Sequence, residues 1–461
     1  MGAVFNGQEP LHIAIIGAGI GGLSLANGLL RQGVSYTLYE AAKCYSAVGA
    51  GVGLGPNAIH ALDAIDHRLS ALYNDISSGN VTPGKDHVMM DGMLLEEGFG
   101  EKRGLKPIPY GAQCYNRTSA HRKALLDILT SGIPINTVKF NYRVKSIDQK
   151  SDRVVIAFDN GEVVEASCVI GCDGVKGVTR PLVLGQKWPD LVKAKYTGRY
   201  VYRAVVPMEK AMEVLGKDCL GNEIAGDARM MMHEGAIITT FPISRGKECN
   251  MVAFKFDGRS EWPYEEWTHP VSKETMVKDF EELGVDQRMI RFLDWATPLQ
   301  WSVHDHPETP IYYNHLICLL GDSAHATTPH QASGAGQCIE DAFVLSRLLG
   351  LVAAPTQLDA AFRAYDSIRR PRAQKVVQTS REAADIFTLK APGIGADMNK
   401  IVANMNERFL WIWDHDLLAD AEKAKSEFYK LTETGKQRNG SVELKSAPMA
   451  NVEEVQILLA A

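Results

Sequence analysis

The sequence has no long apolar run, no cluster of positive charge and no paired cysteines, and each absence removes a class of protein. No stretch approaches the roughly 20 apolar residues that a membrane span needs, so no spanning segment is expected. Its 49 basic and 55 acidic side chains are interspersed and leave a formal charge of -6. A nucleic-acid binder would need its basic residues gathered on one surface, so no nucleic-acid partner is expected. The eight cysteines include no CxxC pair. Cys168 and Cys172 lie four apart in an apolar stretch, which reads as small buried residues in a reducing compartment rather than as a disulfide or metal site. The N-terminus lacks a basic segment leading into an apolar one, so no signal peptide is visible. The Asn-x-Ser/Thr triplets at Asn80, Asn116 and Asn439 then read as chance. The chain is expected to be cytoplasmic.

What is present is an ordinary globular composition, 45% hydrophobic and 23% charged. With 461 residues it exceeds what one core usually serves, so two or three structural units are expected. Residues 11–16 are apolar except for His12, as in a parallel strand covered on both faces. Gly17, Gly19 and Gly22 follow as GxGxxG and open a helix-like segment over 20–31, which Gly33 stops. Residues 35–39 then read as a second strand ending at Glu40. In this βαβ setting the glycines permit a tight turn and close approach to a pyrophosphate, and the helix N-terminus favours its charge. Glu40 is placed to accept hydrogen bonds from a ribose diol.

Two further turns follow apolar runs: Gly171-Cys172-Asp173-Gly174, and Gly321-Asp322-Ser323-Ala324-His325. The second leads into Gly334-Ala335-Gly336-Gln337 and a helix over 336–349. A carboxylate at a strand end can hold a ribityl or ribose hydroxyl, and a glycine-rich helix start can face a flavin pyrimidine or a phosphate. Taken singly, both are also ordinary turn sequences. Residues 154–158 and 162–170 read as strands joined by Asp159-Asn160-Gly161. The alternating segments 200–206, 236–241 and 250–256 suggest a separate, largely antiparallel sheet. Helical patterning dominates after about 356, and 432–450 is polar and poorly patterned. There is no internal repeat.

In this order and at these intervals, the three glycine motifs resemble the class A flavoprotein monooxygenases, the family of para-hydroxybenzoate and salicylate hydroxylases. The resemblance covers about residues 10–375 and is nearest to salicylate hydroxylases and their fungal relatives. It is carried by Val48-Gly49-Ala50-Gly51-Val52-Gly53-Leu54-Gly55-Pro56-Asn57-Ala58, His121-Arg122-Lys123-Ala124-Leu125 and Thr328-Pro329-His330-Gln331. Tyr365 with Ile368-Arg369-Arg370-Pro371-Arg372 also matches. The resemblance implies an α/β fold: a Rossmann-like FAD-binding domain, an inserted, mainly antiparallel β-sheet substrate domain, and a C-terminal helical region. The expected boundaries are 10–75, 105–190 and 305–355 for the first, 76–104 and 191–304 for the second, 356–431 for the helices, and a mobile tail over 432–461.

The family also implies FAD as cofactor, with Glu40, Arg122, Asp322 and Ala335 touching it and Gly53 beside the same loop; Asp173 belongs with the second motif. An arginine such as Arg122 can pair with pyrophosphate or ribose through its donor fork, though a solvated helix arginine is the alternative. One GxGxxG fits transient use of NADH or NADPH, which reduces the flavin and leaves. Where the family commonly has Gly-Ala-Gly-Ala-Gly after His330-Gln331, this chain has Ala332-Ser333-Gly334-Ala335-Gly336.

The implied reaction is hydroxylation of a small phenolic aromatic by O2 through an electrophilic flavin hydroperoxide. A phenol pKa near 10 leaves little phenolate at neutral pH, so the site must supply a base or a positive charge. His330 is the candidate base, in the position implicated in salicylate hydroxylases; the alternative is a histidine that orders the loop. Arg203, within Tyr200-Val201-Tyr202-Arg203-Ala204, matches an arginine thought to hold the phenolate in dearomatising relatives, or else makes a structural ion pair. Those relatives use a tyrosine where Phe241 stands here. His304 and His306 alternate as on a strand, but no further ligands suggest a metal. His325 reads as a hydrogen-bonded helix-start residue, and Phe409-Leu410-Trp411-Ile412-Trp413 as helix packing rather than a membrane contact. Salicylate hydroxylation with loss of CO2 is the most specific version. The alternatives are hydroxylation or epoxidation of a secondary-metabolite intermediate, a flavin dehydrogenase or oxidase without oxygen insertion, and a flavin-binding scaffold. A monomer or homodimer is expected.

Overall fold

The computed structural model of the chain describes residues 11–45 and 51–439. Val48, Gly49 and Ala50 of the glycine-rich segment, and the tail from 440, lie outside the described residues.

The apolar run near the start forms the strand His12–Ile16, with Ile13, Ala14 and Ile15 wholly buried because both faces are covered. It pairs in parallel with Ser35–Glu40 on one side and with Cys168–Gly171 on the other. Cys168–Gly171 pairs in parallel with Ile317–Leu319. Val138–Phe140 and Tyr313–Asn314 complete the six-stranded sheet at its two edges. The strands that precede the three glycine motifs are therefore immediate neighbours. Their motifs, about 150 residues apart in sequence, meet at the carboxyl ends of the strands, where parallel α/β sheets bind ligands. The helices Ile20–Arg31 and Gly334–Leu349 pack closely against each other. At Gly28 a Cβ would stand 2.4 Å from the Ser346 Oγ, so a larger residue would force them apart.

The predicted antiparallel sheet has eight strands, in the order Thr268–Pro270, Leu299–Asp305, Lys195–Pro207, Glu248–Phe256, Ala236–Ile243, Arg229–His233, Val88–Leu94 and Ile108–Gly111. Only Arg229–His233 and Val88–Leu94 run parallel. Alternation along Lys195–Pro207 divides its side chains. Tyr200, Tyr202, Ala204 and Val206 join a core with the helices Met208–Leu215, Lys273–Glu281 and Gln287–Leu293. Val201 and Val205 face the other way, toward Phe241, Phe254 and the C-terminal helices.

Three details differ from expectation. The single strand expected over 162–170 is two, Val163–Ala166 and Cys168–Gly171, in different sheets. Ser167 breaks it: its Oγ accepts a hydrogen bond from the His12 backbone N, which pins the turn to the first strand. His304 and His306 do not share a strand face, because the strand ends at Asp305. Finally, the helix Leu417–Asn439 continues past Thr432, where the tail was expected to start. None of the helices among the described residues is long and apolar enough to cross a membrane.

Candidate flavin and substrate site

A cleft of about 310 Å³ opens at the strand ends, lined by Gly17, Ala18, Gly19, Glu40, Asp173, Gly174, Lys176 and Gly177 among others. Gly17 must be glycine. Its φ is +102°, and a Cβ would stand 2.4 Å from the Cys172 carbonyl oxygen. Gly22 lies behind the turn, where a Cβ would stand 2.0 Å from the Gly17 oxygen. The Ile20–Arg31 helix starts at Gly19 with no side-chain cap and no acidic residue in its first turn. Its first N–H groups and positive dipole end are therefore left for an anion. The Glu40 carboxylate accepts from the Ala18 and Ala42 backbone N–H groups, at 2.8 Å each, and so holds the glycine turn against its strand. Asp173 accepts from the Thr179 N and Oγ1 at 2.9 and 2.6 Å, and burial raises its pKa. These residues fit the ribose–pyrophosphate half of FAD: an uncapped helix start, a glycine turn without obstruction, and carboxylates at the rim.

The loop around Gly53 and the segment that follows the third motif meet at a small chamber of about 20 Å³. Gly53, Gly55, Asn57, Gln331, Ser333, Gly336 and Trp413 line it, with Met89, Tyr115 and Arg117. Ala332 takes φ +49°, which lets the chain turn from Pro329–Gln331 into the helix Gly334–Leu349. A glycine would do this at less cost, as in the family's run. The glycines at the rim leave the backbone bare for a flat ring. The helix is anchored from behind by a buried ion cluster. Glu340 receives Arg369, Arg372 and Asn57, and Asp341 receives Arg369 and His325. Arg372 also donates to the Trp411 and Ile412 carbonyls, which seats Trp413 over the chamber.

The expected site residues divide by place. Gly17, Gly19, Glu40 and Asp173 line the cleft and Gly53 the chamber, while Gly22 supports the cleft from beneath. Asp322 is exposed at the start of the helix Asp322–His325, and Ala335 is half-buried at the start of the helix that follows. Arg122 opens the helix Arg122–Ser131. None of these last three belongs to either lining.

Arg203 and His330 face the apolar side of the large sheet. Register sets Trp301, Val201, Phe254 and Ile237 side by side, and Arg203 one pleat further on, opposite Val252. Arg203 lies over the Trp301 ring, 5.0 Å from its centre, and pairs with no carboxylate among the described residues. Burial lowers its pKa, and the charge of Arg122 lowers it further. His330 is 5% exposed, its ring 5.1 Å from that of Phe254, and neither ring nitrogen has a hydrogen-bond partner. Burial, and then the charge of Arg199, hold its pKa well below the ordinary 6.5. Both shifts favour the neutral imidazole, and its two ring nitrogens have no protein partner among the described residues. His304 stacks on Trp267 and His306 is buried near Arg180, so the pair does not converge.

The motifs did not point to Arg117, Tyr115 or Trp413, which come from irregular or distant segments, nor to Arg199. Gln331 could have been found from its place after His330, and Glu340 from its place in the helix after the third motif.

The model of the FAD binding domain family matches residues 11–380. The chain is 40% identical to an FAD-dependent monooxygenase of Gibberella moniliformis over 91% of this chain and 97% of that one. It is 34% identical to a 6-methylsalicylate 1-monooxygenase of Aspergillus terreus, over 92% and 94%. It is 33% identical to a salicylate hydroxylase of Pseudomonas putida, over 91% and 95%. A solved salicylate hydroxylase substrate complex superposes with a TM-score of 0.78 at 29% identity, covering 90% of this chain and 98% of that one. With the fold, the cofactor cleft and these relatives in agreement, the chain belongs to the FAD-binding domain family and is an FAD-dependent monooxygenase.

Proposed function

We propose that the chain hydroxylates a phenolic aromatic substrate, using NADH or NADPH and O2, and that His330 is the base that takes the phenolic proton. The buried imidazole with both nitrogens unpartnered carries this reading. A buried polar group without a partner is costly, and a phenolic hydroxyl donating to it would remove that cost. Bound FAD, once reduced by the nicotinamide nucleotide, supplies the activation of O2 and the transfer of one oxygen atom. The residues of this chain supply the rest. Gly17, Gly19, Gly22, Glu40 and Asp173 would hold the ribose–pyrophosphate half. Gly53, Arg122, Asp322 and Ala335 would hold the ribityl and ring portion.

At the sheet face, Phe254, Val201 and Trp301 exclude water from the ring. His330 accepts the proton, and Arg203 stabilises the phenolate oxygen by its charge. Removing the proton makes the ring electron-rich where oxygen is to be added. Phe241 takes no part in proton transfer, having no hydroxyl. Relatives named for salicylate and 6-methylsalicylate make hydroxylation of such an acid, with loss of CO2, the first version to test. We further propose that the enzyme works in the cytoplasm as a monomer or homodimer; its free cysteines suit a reducing compartment.

The test is anaerobic flavin reduction by NADH or NADPH in stopped flow, with and without salicylate, 6-methylsalicylate and a panel of larger phenols, followed by aerobic product analysis. A phenol that accelerates reduction and is recovered with one added oxygen supports the reading. If no phenol does either, it fails.

A further inference from the structure

Arg117 is 5% exposed, and among the described residues it pairs with no carboxylate. Its Nη1 donates to the Tyr115 hydroxyl at 3.3 Å, and its Nε has no partner. Aromatic rings brace the guanidinium. It lies over the Phe241 ring, 5.2 Å from the centre, and Tyr115 in turn rests on Trp413, the ring centres 4.3 Å apart. The guanidinium reaches the glycine rim of the chamber, since a Cβ at Gly53 would stand 4.0 Å from Arg117 Nη1. Gln331, on the same lining, has its Oε1 engaged by Thr379 while its buried Nε2 has no acceptor. Behind the chamber, the Glu340 carboxylate is already matched by Arg369 and Arg372. Two unmet donors, one carrying a full charge, thus line the space whose bare rim suits the flat ring of the flavin.

We propose that Arg117, with Gln331, donates to the pyrimidine edge of the flavin ring, and that the Arg117 charge raises the flavin's reduction potential. That edge offers carbonyl oxygens and ring nitrogen as acceptors, and a buried donor without a partner gains by meeting one. Charge then distinguishes the redox states. A hydride from the nicotinamide nucleotide carries two electrons and one proton. Its transfer oxidises the nicotinamide and leaves the flavin ring with one negative charge, borne by the pyrimidine. The oxidised ring therefore gives Arg117 a neutral acceptor, and the reduced ring gives it a charged one. Hydrogen bonds between charged partners are about twice as strong as neutral ones, and burial strengthens them further. Reduction is favoured by the difference, which makes the hydride step more favourable. The inference rests on the rim of this chamber taking the flavin ring and is independent of which substrate is hydroxylated.

The experiment measures the two-electron reduction potential of the FAD-loaded, substrate-free enzyme by anaerobic equilibration with a reference dye. Arg117→Met should destabilise reduced flavin relative to oxidised flavin by about 10- to 100-fold. At about 30 mV per tenfold for a two-electron couple, the potential should fall by about 30–60 mV. Arg117→Gln, a milder change that keeps a polar side chain without the charge, should lose most of the same potential. Arg117→Lys should recover part of it. Gln331→Leu removes only a neutral donor and should cost about 2- to 10-fold. A potential unchanged in Arg117→Met or Arg117→Gln overturns the proposal, even where FAD is held more weakly, since Arg117 would then only anchor the cofactor. So does an equal fall in Arg117→Lys and Arg117→Met, because the charge would then be irrelevant. No substrate is present, so either result leaves the phenol-hydroxylase reading to its own stopped-flow test.

Discussion

Replacing Glu340 by Gln tests the cluster that holds the flavin-side helix in place. Glu340, Asp341 and Arg369 are wholly buried and Arg372 nearly so, and the cluster sets two guanidiniums against two carboxylates. Glu340 accepts from Arg369 Nη1 at 2.6 Å, from Arg372 Nε and Nη2 at 2.7 and 2.9 Å, and from Asn57 Nδ2 at 2.6 Å. The Gln variant keeps the shape but leaves one buried positive charge without its counterpart, at a cost of about 3–5 kcal/mol. Unfolding entropy of about 2.1 cal/mol/K per residue sums to roughly 1 kcal/mol/K for a chain of this length. The melting temperature should therefore fall by about 3–5 °C at neutral pH.

The effect has a pH signature. Burial would raise the Glu340 pKa, but Arg369 and Arg372 overcome it and bring it from 4.5 down to about 2. A depressed carboxylate pKa stabilises the fold fully above its unfolded value, and that contribution is lost as pH falls toward the folded value. The gap between wild type and Glu340→Gln should thus be constant above about pH 5 and narrow below about 4.5. Scanning calorimetry of both proteins from pH 7 to pH 3.5 measures this. A difference below about 1 °C at pH 7, or a gap that does not narrow in acid, would refute the assignment of a net-stabilising ion cluster.

Gly17→Ala should yield folded protein that purifies without flavin colour, because the added Cβ meets the Cys172 carbonyl oxygen at 2.4 Å in a φ +102° turn. Normal FAD content would contradict the assignment of the turn. His330→Gln should lower kcat/KM for a phenol by about 100-fold at neutral pH. The deficit should shrink as pH approaches the phenol's own pKa near 10, and a deficit independent of pH would mean that His330 only orders its loop. In the wild type, the depressed His330 pKa places the acid limb of the kcat/KM profile below pH 6.5; a limb above that value would be inconsistent with a buried, neutral imidazole. Arg203→Met should raise the pKa at which a bound phenol ionises, read from its ultraviolet difference spectrum, and an unchanged value would leave Arg203 a purely structural role.

Much of this molecule was legible in the chain because its information is local. A parallel strand covered on both faces is apolar at consecutive positions, as at Ile13, Ala14 and Ile15. The turn after it admits only glycine at Gly17, and a terminal acid such as Glu40 follows from the strand's end. Periodicity also located the large sheet. It failed at Ser167, where two hydrogen bonds to His12 of the neighbouring strand split a run that patterning reads as one strand. It failed again at His306, since alternation does not reveal where a strand stops.

By itself, then, the sequence determined the βαβ unit and the order of the glycine motifs, since each depends on backbone freedom and polarity within a few residues; the cofactor followed from the family that those motifs resemble. Tertiary structure alone decided what those motifs face. Strand order made neighbours of three turns about 150 residues apart. Sheet register placed Arg203 beside Trp301, and His330 packs on Phe254 of the next strand. Chain crossing brought Arg117 under Phe241 and Trp413 over the same chamber. The physical reason is that charge and hydrogen-bonding capacity belong to a residue, whereas desolvation and the lack of a partner belong to its surroundings. The neutral His330 and the unpaired Arg117 exist only once distant segments have excluded water from them.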